Sequence, residues 1–344
     1  MEFPQVVIFD GDDSEEVAAK ELANQMSALG VEAPFVVASP HGKRLASYLN
    51  GPHDTPIYGA NQEWAAELGS RAHRSGADVL VAVGGGRCLD VAKLAAARAG
   101  LSIISVPTQL SHDGICSPVA VVPNADGRAE SVGAISPRAV FLSLPTLIDA
   151  PDSSARAGLG DLLANPLALR DWALAIERGI DDANERAWHL SVESFQLVEP
   201  YLDADPKGWI RNPGFHKRLG DALILSGLAM ICAGTSRPAS GGEHEISHAL
   251  DEAFGGRAMH GAQVAFGCIF SVALYGEDTA AFRRRLSNLG LPQHPRELGL
   301  SADELTGLLL TAPNTRPGRF TVIEAADLDD ASARALVKRI WDDA

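Results

Sequence analysis

Three histidines in the second half of the chain have the types and spacing of metal ligands. His244 and His248 are four residues apart in GGEHEISHALDEAF, so on a helix they share one face. His260 follows at the start of HGAQVAFG, which has the pattern of another helix. Imidazole nitrogens suit zinc and other borderline metals, although any one histidine can equally be hydrogen-bonded in a core or on a surface. The spacing predicts a metal site that uses some of these rings.

The segment HEISH also matches H-E-x-x-H, the pattern of zinc peptidases. The longer form of that pattern requires a glycine and a further histidine downstream, and this chain has Asp251 and Phe254 at those positions. The shorter form requires a distant glutamate ligand, for which Glu277 is only a nominal candidate. The sequence therefore argues against a peptidase.

A carboxylate upstream offers a different ligand set. Asp161, in AGLGDLLANPLALRDW, is predicted to lie early in a helix, just after a Gly-x-Gly turn. With His244 and His260 it would form a carboxylate-plus-two-histidine site that leaves positions open for substrate. A helix N-cap is the alternative role for Asp161, and the residues alone leave both possibilities open.

A glycine-rich turn in the first half could bind a phosphate. Gly84, Gly85 and Gly86 lie between a strand and a helix in VAVGGGRCLDVAKLAA. Backbone N–H groups and the positive end of a helix bind pyrophosphate at such turns, although three glycines can also form a simple tight turn. Asp90 fits the start of the helix dipole, and Lys93 either reaches a phosphate or faces water.

The next strand ends in the polar segment PTQLSHDGICSP, residues 107–118. Ligands of open α/β sheets bind at the carboxyl ends of parallel strands, which makes this segment a candidate site. The alternative is a local turn in which Ser111 and Asp113 bond their own backbone.

Strand and helix patterns alternate through the first 150 residues and give way to helical periodicity from about residue 151. Continuous apolar runs between helices predict a parallel sheet covered on both faces. We therefore expect an α/β dinucleotide-binding domain over 1–150 and a helical metal- and substrate-binding domain over 151–344. The predicted strands are 5–11, 33–39, 78–86, 102–108 and 139–144, and the predicted helices of the first domain are 14–30, 61–76 and 88–100.

Composition narrows the class of partner. The 344 residues carry a net charge of −15, which argues against nucleic acid and anionic membranes. The four cysteines have no CxxC spacing and are expected to be free thiols in a reducing compartment. The N-terminal MEFPQVVIFDGDD has no signal-peptide pattern, and we expect a cytoplasmic protein.

Six segments carry a resemblance to a known family. They occur in order between residues 83 and 325: VGGGRCLDVAK, SVPTQLSHDGICSP, AGLGDLLA…DW, SRPASGGEHEISHAL, HGAQVAFG and APNTRPGRFTVIEA. Together they resemble the sn-glycerol-1-phosphate dehydrogenases, which belong to a superfamily with dehydroquinate synthase, glycerol dehydrogenase and the iron-dependent alcohol dehydrogenases. PTxxSHDGxxSP combined with SRPASGxEHxxSH is the most specific part of the match.

The resemblance implies a Rossmann-like N-terminal domain, an all-helical C-terminal domain and an active site in the cleft between them. It implies reduction of dihydroxyacetone phosphate to sn-glycerol 1-phosphate by NAD(P)H, with one divalent metal polarising the carbonyl. Zinc is the first expectation for that metal, with nickel or iron as alternatives. We also expect a homo-oligomer, a dimer or larger.

The resemblance also implies roles for individual residues. Asp161, His244 and His260 would hold the metal, and Glu245 would be a bystander on the helix. Asp113, Asp161 and His248 would contact the substrate, with Asp113 and His248 as catalytic residues. The dinucleotide would contact Gly84, Gly85, Gly86, Arg87, Cys88, Leu89, Asp90, Thr108, Gln109, Leu110, Ser111 and Ser117.

Two further expectations concern phosphate groups. An acidic residue after the second strand would repel the 2′-phosphate of NADPH, but VVASPHGKR has none there. We therefore predict that NADPH is accepted, since the segment instead contains Ser39, His41, Lys43 and Arg44. For the substrate phosphate, Arg237 and Lys217 are the candidates, although either can be an ordinary surface charge.

Other functions remain open on the residues. A sugar-phosphate cyclase related to dehydroquinate synthase would require a denser set of Lys and Arg than residues 140–180 contain. A dehydrogenase of glycerol or another polyol would lack the phosphate requirement. A non-catalytic nucleotide-binding protein would be expected to lose the metal ligands, which this chain retains.

Overall fold

The computed structural model describes residues 3–341 apart from 12–13, 57–59, 126 and 128. The first two and the last two residues of the segment inspected for a signal peptide, and the last three of the second predicted domain, lie outside this described part.

The chain divides into two compact units. Unit 1 comprises Met1–Ala155 with Arg211–Leu228, and unit 2 comprises Arg156–Ile210 with Ala229–Ala344. The sequence analysis placed all of 151–344 in the second domain, whereas the structure groups 211–228 with unit 1. Close backbone packing explains this grouping, since a Cβ on Gly220 would lie 2.6 Å from a methyl carbon of Leu142.

Eight strands form two sheets in the described chain. They are β1 (Gln5–Phe9), β2 (Pro34–Ala38), β3 (His53–Asp54), β4 (Val79–Gly84), β5 (Ser102–Pro107), β6 (Val119–Pro123), β7 (Ala129–Gly133) and β8 (Ala139–Ser143).

The main sheet has the order β1-β8-β5-β4-β2-β3, and every neighbouring pair is parallel. All six residues of β4 are buried, as expected for a strand covered on both faces. The parallel sheet predicted from the apolar runs is therefore confirmed. Because parallel strands present their carboxyl ends at one edge, the segments after β4 and β5 lie beside each other.

The sequence analysis did not anticipate the second sheet. β6 and β7 pair antiparallel, from Val119 opposite Gly133 to Pro123 opposite Ala129. The alternating burial along β6 is the period of a strand with one covered face. Asn124 and Gly127, residue types that favour turns, were the available signal between the two strands.

In the described part of the chain every strand belongs to unit 1, and most of the remaining regular structure is α-helical. The helices are α1 (Glu15–Ala28), α2 (Lys43–Ala46), α3 (Gln62–Arg74), α4 (Gly86–Ala99), α5 (Leu144–Asp149), α6 (Asp152–Leu162), α7 (Ala164–Glu177), α8 (Glu185–Val198), α9 (Pro213–Ala233), α10 (Gly242–Phe254), α11 (His260–Leu274), α12 (Thr279–Leu289), α13 (Ala302–Thr311), α14 (Val322–Ala326) and α15 (Asp330–Ile340).

Two helices carry most of the predicted chemistry in unit 2. α10 ends at a left-handed Gly255 (φ 71°), whose N–H donates to the carbonyl of Asp251. α11 begins at His260, as the sequence predicted, and twelve of its residues are buried. A Cβ on Gly267 would lie 2.3 Å from the carbonyl oxygen of Glu243, so this glycine allows α10 and α11 to approach closely.

All four cysteines lie in the described part of the chain, and each is a free thiol, as predicted. Burial raises the pKa of Cys88 and of Cys116 to about 12. These two thiols are therefore expected to be unreactive at neutral pH. Among the helices of the described chain, none has both the length and the hydropathy to cross a membrane.

Candidate functional site

α10 is a polar helix that is buried. Residues Gly242 to Leu250 are all buried, although they include two glutamates, two histidines and a serine. Buried polar groups are costly unless each finds a partner, so such a helix indicates a site and not a simple core element.

Asp161, His244 and His260 come together as a possible metal-binding triad. Their ligand atoms all lie within 4.8 Å of one another. The Nε2 atoms of His244 and His260 are each 3.7 Å from the same oxygen, Oδ1 of Asp161. Ligands held about 2.1 Å from a tetrahedral metal are about 3.4 Å apart, so the two distances from Asp161 to the histidines are close to those of a bound ion.

The outer nitrogens of both rings have partners that orient them. Nδ1 of His244 lies 2.9 Å from Oε1 of Glu243, and Nδ1 of His260 lies 3.5 Å from the hydroxyl of Ser247. Metal-binding histidines typically engage their second nitrogen in this way, which fixes the ring and the tautomer. Burial, followed by Arg316 and Arg319, holds the pKa of His244 well below its ordinary value, so the ring is in the neutral form that binds metals. The residues therefore fit a divalent metal.

His248 is distinguished from the other two histidines by its partner. Its Nε2 lies 2.8 Å from Nη2 of Arg316. Because a guanidinium can only donate, this nitrogen of His248 must accept, and the ring is neutral with its proton on Nδ1. Burial, then Arg316, holds the pKa of His248 well below its ordinary value. The residues alone left open a site built from the histidines and a site that combines Asp161 with His244 and His260. The geometry favours the second.

The prediction for the position of Asp161 was wrong in its local structure. The residue is the second-last of α6, not an early residue or a cap, and the preceding glycines are helical and do not form a turn. A Cβ on Gly160 would lie 2.4 Å from the carbonyl oxygen of Gly261. The glycine therefore lets α6 approach the start of α11, which brings Asp161 to His260.

Glu245, predicted to be a bystander to the metal chemistry, has a structural contact instead. Its side chain is buried and accepts a hydrogen bond of 3.1 Å from the hydroxyl of Thr321. Burial, followed by Glu324, raises the pKa of Glu245 to about 9. The start of the same helix is held by Asp171, which accepts from the N–H of Gly242 at 2.7 Å and from that of Val322 at 2.9 Å. The carboxyl groups of Asp171 and Glu245 therefore connect α10 to the segment that contains Thr321 and Val322.

We predict that Glu243 controls metal affinity. Replacing Glu243 with alanine removes the acceptor for His244 Nδ1 and should weaken metal binding by about 10–100-fold. Glu243→Gln keeps an acceptor oxygen at this position and should recover most of the affinity. Competition with a chelating dye measures the Kd of the metal.

Glu252→Ala serves as a matched control for the Glu243 variants, because Glu252 is an exposed glutamate on the same helix. Equal affinities of Glu243→Ala and the native protein would contradict the orienting role of Glu243.

The glycine turn in unit 1 has the geometry of a phosphate-binding turn. β4 ends at Gly84, Gly85 is the extended N-cap, and α4 begins at Gly86. A Cβ on Gly86 would lie 2.1 Å from Nε2 of His112, so only glycine fits beneath the loop after β5. The N–H of Thr108 donates to the carbonyl of Gly84 at 3.0 Å and joins the two segments.

The predicted dinucleotide contacts are therefore gathered on one part of unit 1, but not all of them are available to a ligand. Cys88 and Leu89 have buried side chains, and their N–H groups donate to the carbonyl of Gly85 at 2.9 and 3.2 Å. Arg87 is exposed, and Gln109 is half-buried. Leu110, Ser111 and Ser117 are buried.

Lys93 neither reaches a phosphate nor faces water. Its side chain is fully buried, 3.0 Å from Asp90 Oδ1. Its ammonium donates to the carbonyls of Gly114, Ser117 and Val119. Asp90 in turn accepts from the N–H of Val121 at 3.2 Å. Both alternatives for Lys93 were wrong, because the pair holds the segment after β5 in place from inside the unit.

Asp113 lies in that segment, at the start of the 3₁₀ turn Asp113–Ile115. Its Oδ2 accepts a hydrogen bond of 2.9 Å from the hydroxyl of Ser226. Burial raises the pKa of Asp113 to about 6. A carboxyl group that is half-buried and tuned in this way is a candidate for substrate contact.

The cations proposed for phosphate groups have different surroundings. Arg237 is buried and forms an ion pair with Asp181 at 2.6 Å, whereas Lys217 is exposed on α9. Arg44 is exposed and lies 3.1 Å from Glu15. The cations close to His248 are instead Arg316 and Arg319, which the sequence analysis did not select. The signal was present, since both lie in APNTRPGRFTVIEA, one of the segments that carried the resemblance.

Solved structures of other proteins share this fold. The solved structures with similar folds include a probable glycerol dehydrogenase from Sinorhizobium meliloti, with a TM-score of 0.79 and 21% identity over 98% of this chain and 96% of that one. They also include glycerol dehydrogenase from Schizosaccharomyces pombe, with a TM-score of 0.73 and 20% identity over 98% of this chain and 89% of that one. A family model described as iron-containing alcohol dehydrogenase matches residues 1–151.

Relatives with higher sequence identity identify the family. Glycerol-1-phosphate dehydrogenase [NAD(P)+] from Methanoculleus marisnigri is 34% identical and aligns over 99% of this chain and 94% of its own length. The enzyme of the same name from Hyperthermus butylicus is also 34% identical, over 98% of this chain and 97% of its own length. The chain belongs to the glycerol-1-phosphate dehydrogenase family, as the sequence motifs predicted.

Proposed function

We propose that this chain catalyses the reversible reduction of dihydroxyacetone phosphate to sn-glycerol 1-phosphate with NAD(P)H. The observation that carries the proposal is the convergence of His244 Nε2 and His260 Nε2 on one oxygen of Asp161, each at 3.7 Å. Membership of the glycerol-1-phosphate dehydrogenase family supports the choice of substrate.

Asp161, His244 and His260 would hold one divalent metal, with zinc as the first candidate and nickel or iron as alternatives. When bound, the metal supplies polarisation of the substrate carbonyl and the dinucleotide supplies the hydride. Glu243 and Ser247 keep the two imidazole rings oriented toward Asp161.

His248 would bind the substrate oxygen through a hydrogen bond. Because its Nε2 accepts from Arg316, the proton on Nδ1 is the one that the ring can donate. That donor would stabilise negative charge as it develops on the carbonyl oxygen. Asp113, with its pKa raised to about 6, would be a second polar contact for the substrate.

The dinucleotide would bind at the glycine turn of unit 1. The first turn of α4 would direct N–H groups and the positive end of the helix dipole at its pyrophosphate. Ser39 follows β2 with Lys43 and Arg44 exposed nearby, so a 2′-phosphate meets no carboxylate of this segment. NADPH should therefore be accepted, and a strong preference for NADH in kcat/KM would reject this part of the proposal.

The experiment is a reduction assay on the purified, zinc-loaded protein. Oxidation of NADPH or NADH is followed at the nicotinamide absorbance band with dihydroxyacetone phosphate as substrate. The product is then offered to a dehydrogenase specific for sn-glycerol 3-phosphate, which should not consume it.

Other outcomes of the same assay would identify the competing functions. Turnover of dihydroxyacetone without turnover of its phosphate would indicate a polyol dehydrogenase. Turnover of a heptulosonate phosphate without net oxidation of the cofactor would indicate a cyclase. Either result would overturn the proposed reaction.

The location of the protein and its assembly stay predictions. We expect a cytoplasmic homo-oligomer that binds a small phosphorylated substrate and neither nucleic acid nor membranes. Light scattering on the purified protein measures the assembly.

A further inference from the structure

Two arginines of unit 2 converge on one hydroxyl group. Nη1 of Arg316 donates to Oγ of Ser236 at 2.8 Å, and Nη1 of Arg319 donates to the same oxygen at 3.0 Å. Their remaining hydrogen bonds go to Nε2 of His248, from Arg316, and to the carbonyl of Ser240, from Arg319. Two guanidinium groups that share a neutral acceptor form an unusual arrangement, because like charges repel.

Among the described residues, no carboxylate contacts either guanidinium of this pair. The acceptors of both guanidiniums are a hydroxyl, an imidazole nitrogen and a carbonyl, all of them neutral. Arg237, next to Ser236 in sequence, differs because it forms a close ion pair with Asp181. Glu243 and Glu245 attract Arg316 and Arg319 only at longer range.

Unused donors remain on both side chains. A guanidinium has five N–H donors, and the hydrogen bonds of Arg316 and Arg319 use two on each. Nε of Arg319 is buried and has no hydrogen-bond partner among the described residues. Burial, then Arg316, lowers the pKa of Arg319 to about 9, which reflects the cost of keeping both charges there. A bound anion would offset that cost and satisfy the donors.

The pair lies beside the metal-binding triad. Arg316 contacts His248 directly, and the ring centroid of His248 is 6.4 Å from that of His260. An anion on the arginines would therefore be about one imidazole ring away from the metal ligands. In a phosphorylated ketone such as dihydroxyacetone phosphate, only one methylene group and one ester oxygen separate the carbonyl carbon from the phosphorus.

We propose that Arg316, Arg319 and Ser236 form the subsite for the phosphate group of the substrate. The identity of the ligand rests on the proposed function. The two converging guanidinium groups by themselves suit any phosphate-like anion. Arginine suits this role because its planar donors bind phosphate oxygens in pairs. Specificity for a phosphorylated ketone over the free ketone would arise here, since without the phosphate the buried donors stay unpaired.

The first experiment compares two substrates in the full-length, metal-loaded enzyme. Arg319→Gln and Ser236→Asp are the main variants, because neither residue contacts His248. Each should lower kcat/KM for dihydroxyacetone phosphate by about 10–100-fold, while kcat/KM for dihydroxyacetone changes by less than about twofold. Arg334→Ala is the control, since Arg334 is an exposed arginine of α15 that pairs with Asp330 at 2.8 Å.

An equal loss with both substrates would overturn the subsite, because a purely structural role affects them alike. A raised KM for NADPH, with the KM for dihydroxyacetone phosphate unchanged, would also overturn it. In that case the phosphate bound by the arginines would be the 2′-phosphate of the dinucleotide.

The second experiment uses inorganic phosphate as the probe and does not depend on turnover. Protein saturated with metal and NAD+ is titrated with phosphate in a calorimeter. Arg319→Gln and Ser236→Asp should raise the Kd by about tenfold or more relative to Arg334→Ala. Unchanged phosphate binding would reject the subsite even if dihydroxyacetone phosphate is reduced. Weakened phosphate binding would support it even if the proposed reaction fails.

Discussion

Replacement of His260 by alanine is expected to release the metal and abolish turnover. The variant removes one of three ligand atoms that surround the site and leaves Asp161 and His244 as an incomplete pair. Changes to groups that merely orient a ligand cost about 10–100-fold in metal affinity, so loss of a ligand should cost more than about 100-fold. Metal per chain, measured by plasma mass spectrometry after dialysis, and the reduction assay report the two effects.

His248→Ala separates the metal ligands from the substrate contact. This variant removes a ring from the same face of α10 as His244, yet His248 is engaged by Arg316 and is not part of the triad. It should retain the metal and lose activity. His189→Ala, at an exposed position of α8, should change neither. Native metal content in His260→Ala, or metal loss in His248→Ala, would show that the ligand set is wrong.

Replacement of Lys93 by methionine is expected to destabilise unit 1 by about 3–5 kcal/mol, because it leaves the buried carboxylate of Asp90 without its cation. Three backbone carbonyls also lose their donor. Urea unfolding followed by circular dichroism measures the change in the free energy of unfolding.

Two comparisons test this explanation. Lys20→Met removes an ion pair in which the lysine side chain is 69% exposed, and it should cost less than about 0.5 kcal/mol. Asp90→Asn combined with Lys93→Met should recover part of the loss, because the unpaired charge is gone. A cost below about 1 kcal/mol for Lys93→Met alone would indicate that the lysine is not the partner of Asp90 in solution.

The features that the sequence predicted well depend on neighbours along the chain. The spacing of His244 and His248 places both on one helix face, and the glycines at 84–86 mark the end of a strand and the start of a helix. The apolar runs of the first 150 residues predicted the parallel sheet for the same reason. These patterns reflect the periods of helices and strands, which are properties of the local backbone.

Predictions failed where a local rule was overridden by packing. Gly158 and Gly160 suggested a turn before Asp161, but both are inside α6. Position 160 requires glycine because the carbonyl of Gly261 leaves no room for a side chain. Lys93 was predicted to reach a phosphate or to face water, and Glu245 was given no role, although charged side chains are seldom buried without partners. Each is buried with partners from a segment distant in sequence, which are three backbone carbonyls between residues 114 and 119 for Lys93 and the hydroxyl of Thr321 for Glu245.

The sequence alone identified the family. It also predicted a metal site and a dinucleotide-binding turn, together with most of the residues assigned to them. The motifs of the family are short runs of consecutive residues, so they can be recognised without a structure. The family resemblance already implied that His260, and not His248, is a metal ligand. Only the tertiary structure showed that His244 and His260 face the same oxygen of Asp161, and that Arg316 and Arg319 lie beside His248. These assignments depend on which nitrogen or oxygen faces which partner, and atoms far apart in the chain acquire such partners only when the helices pack.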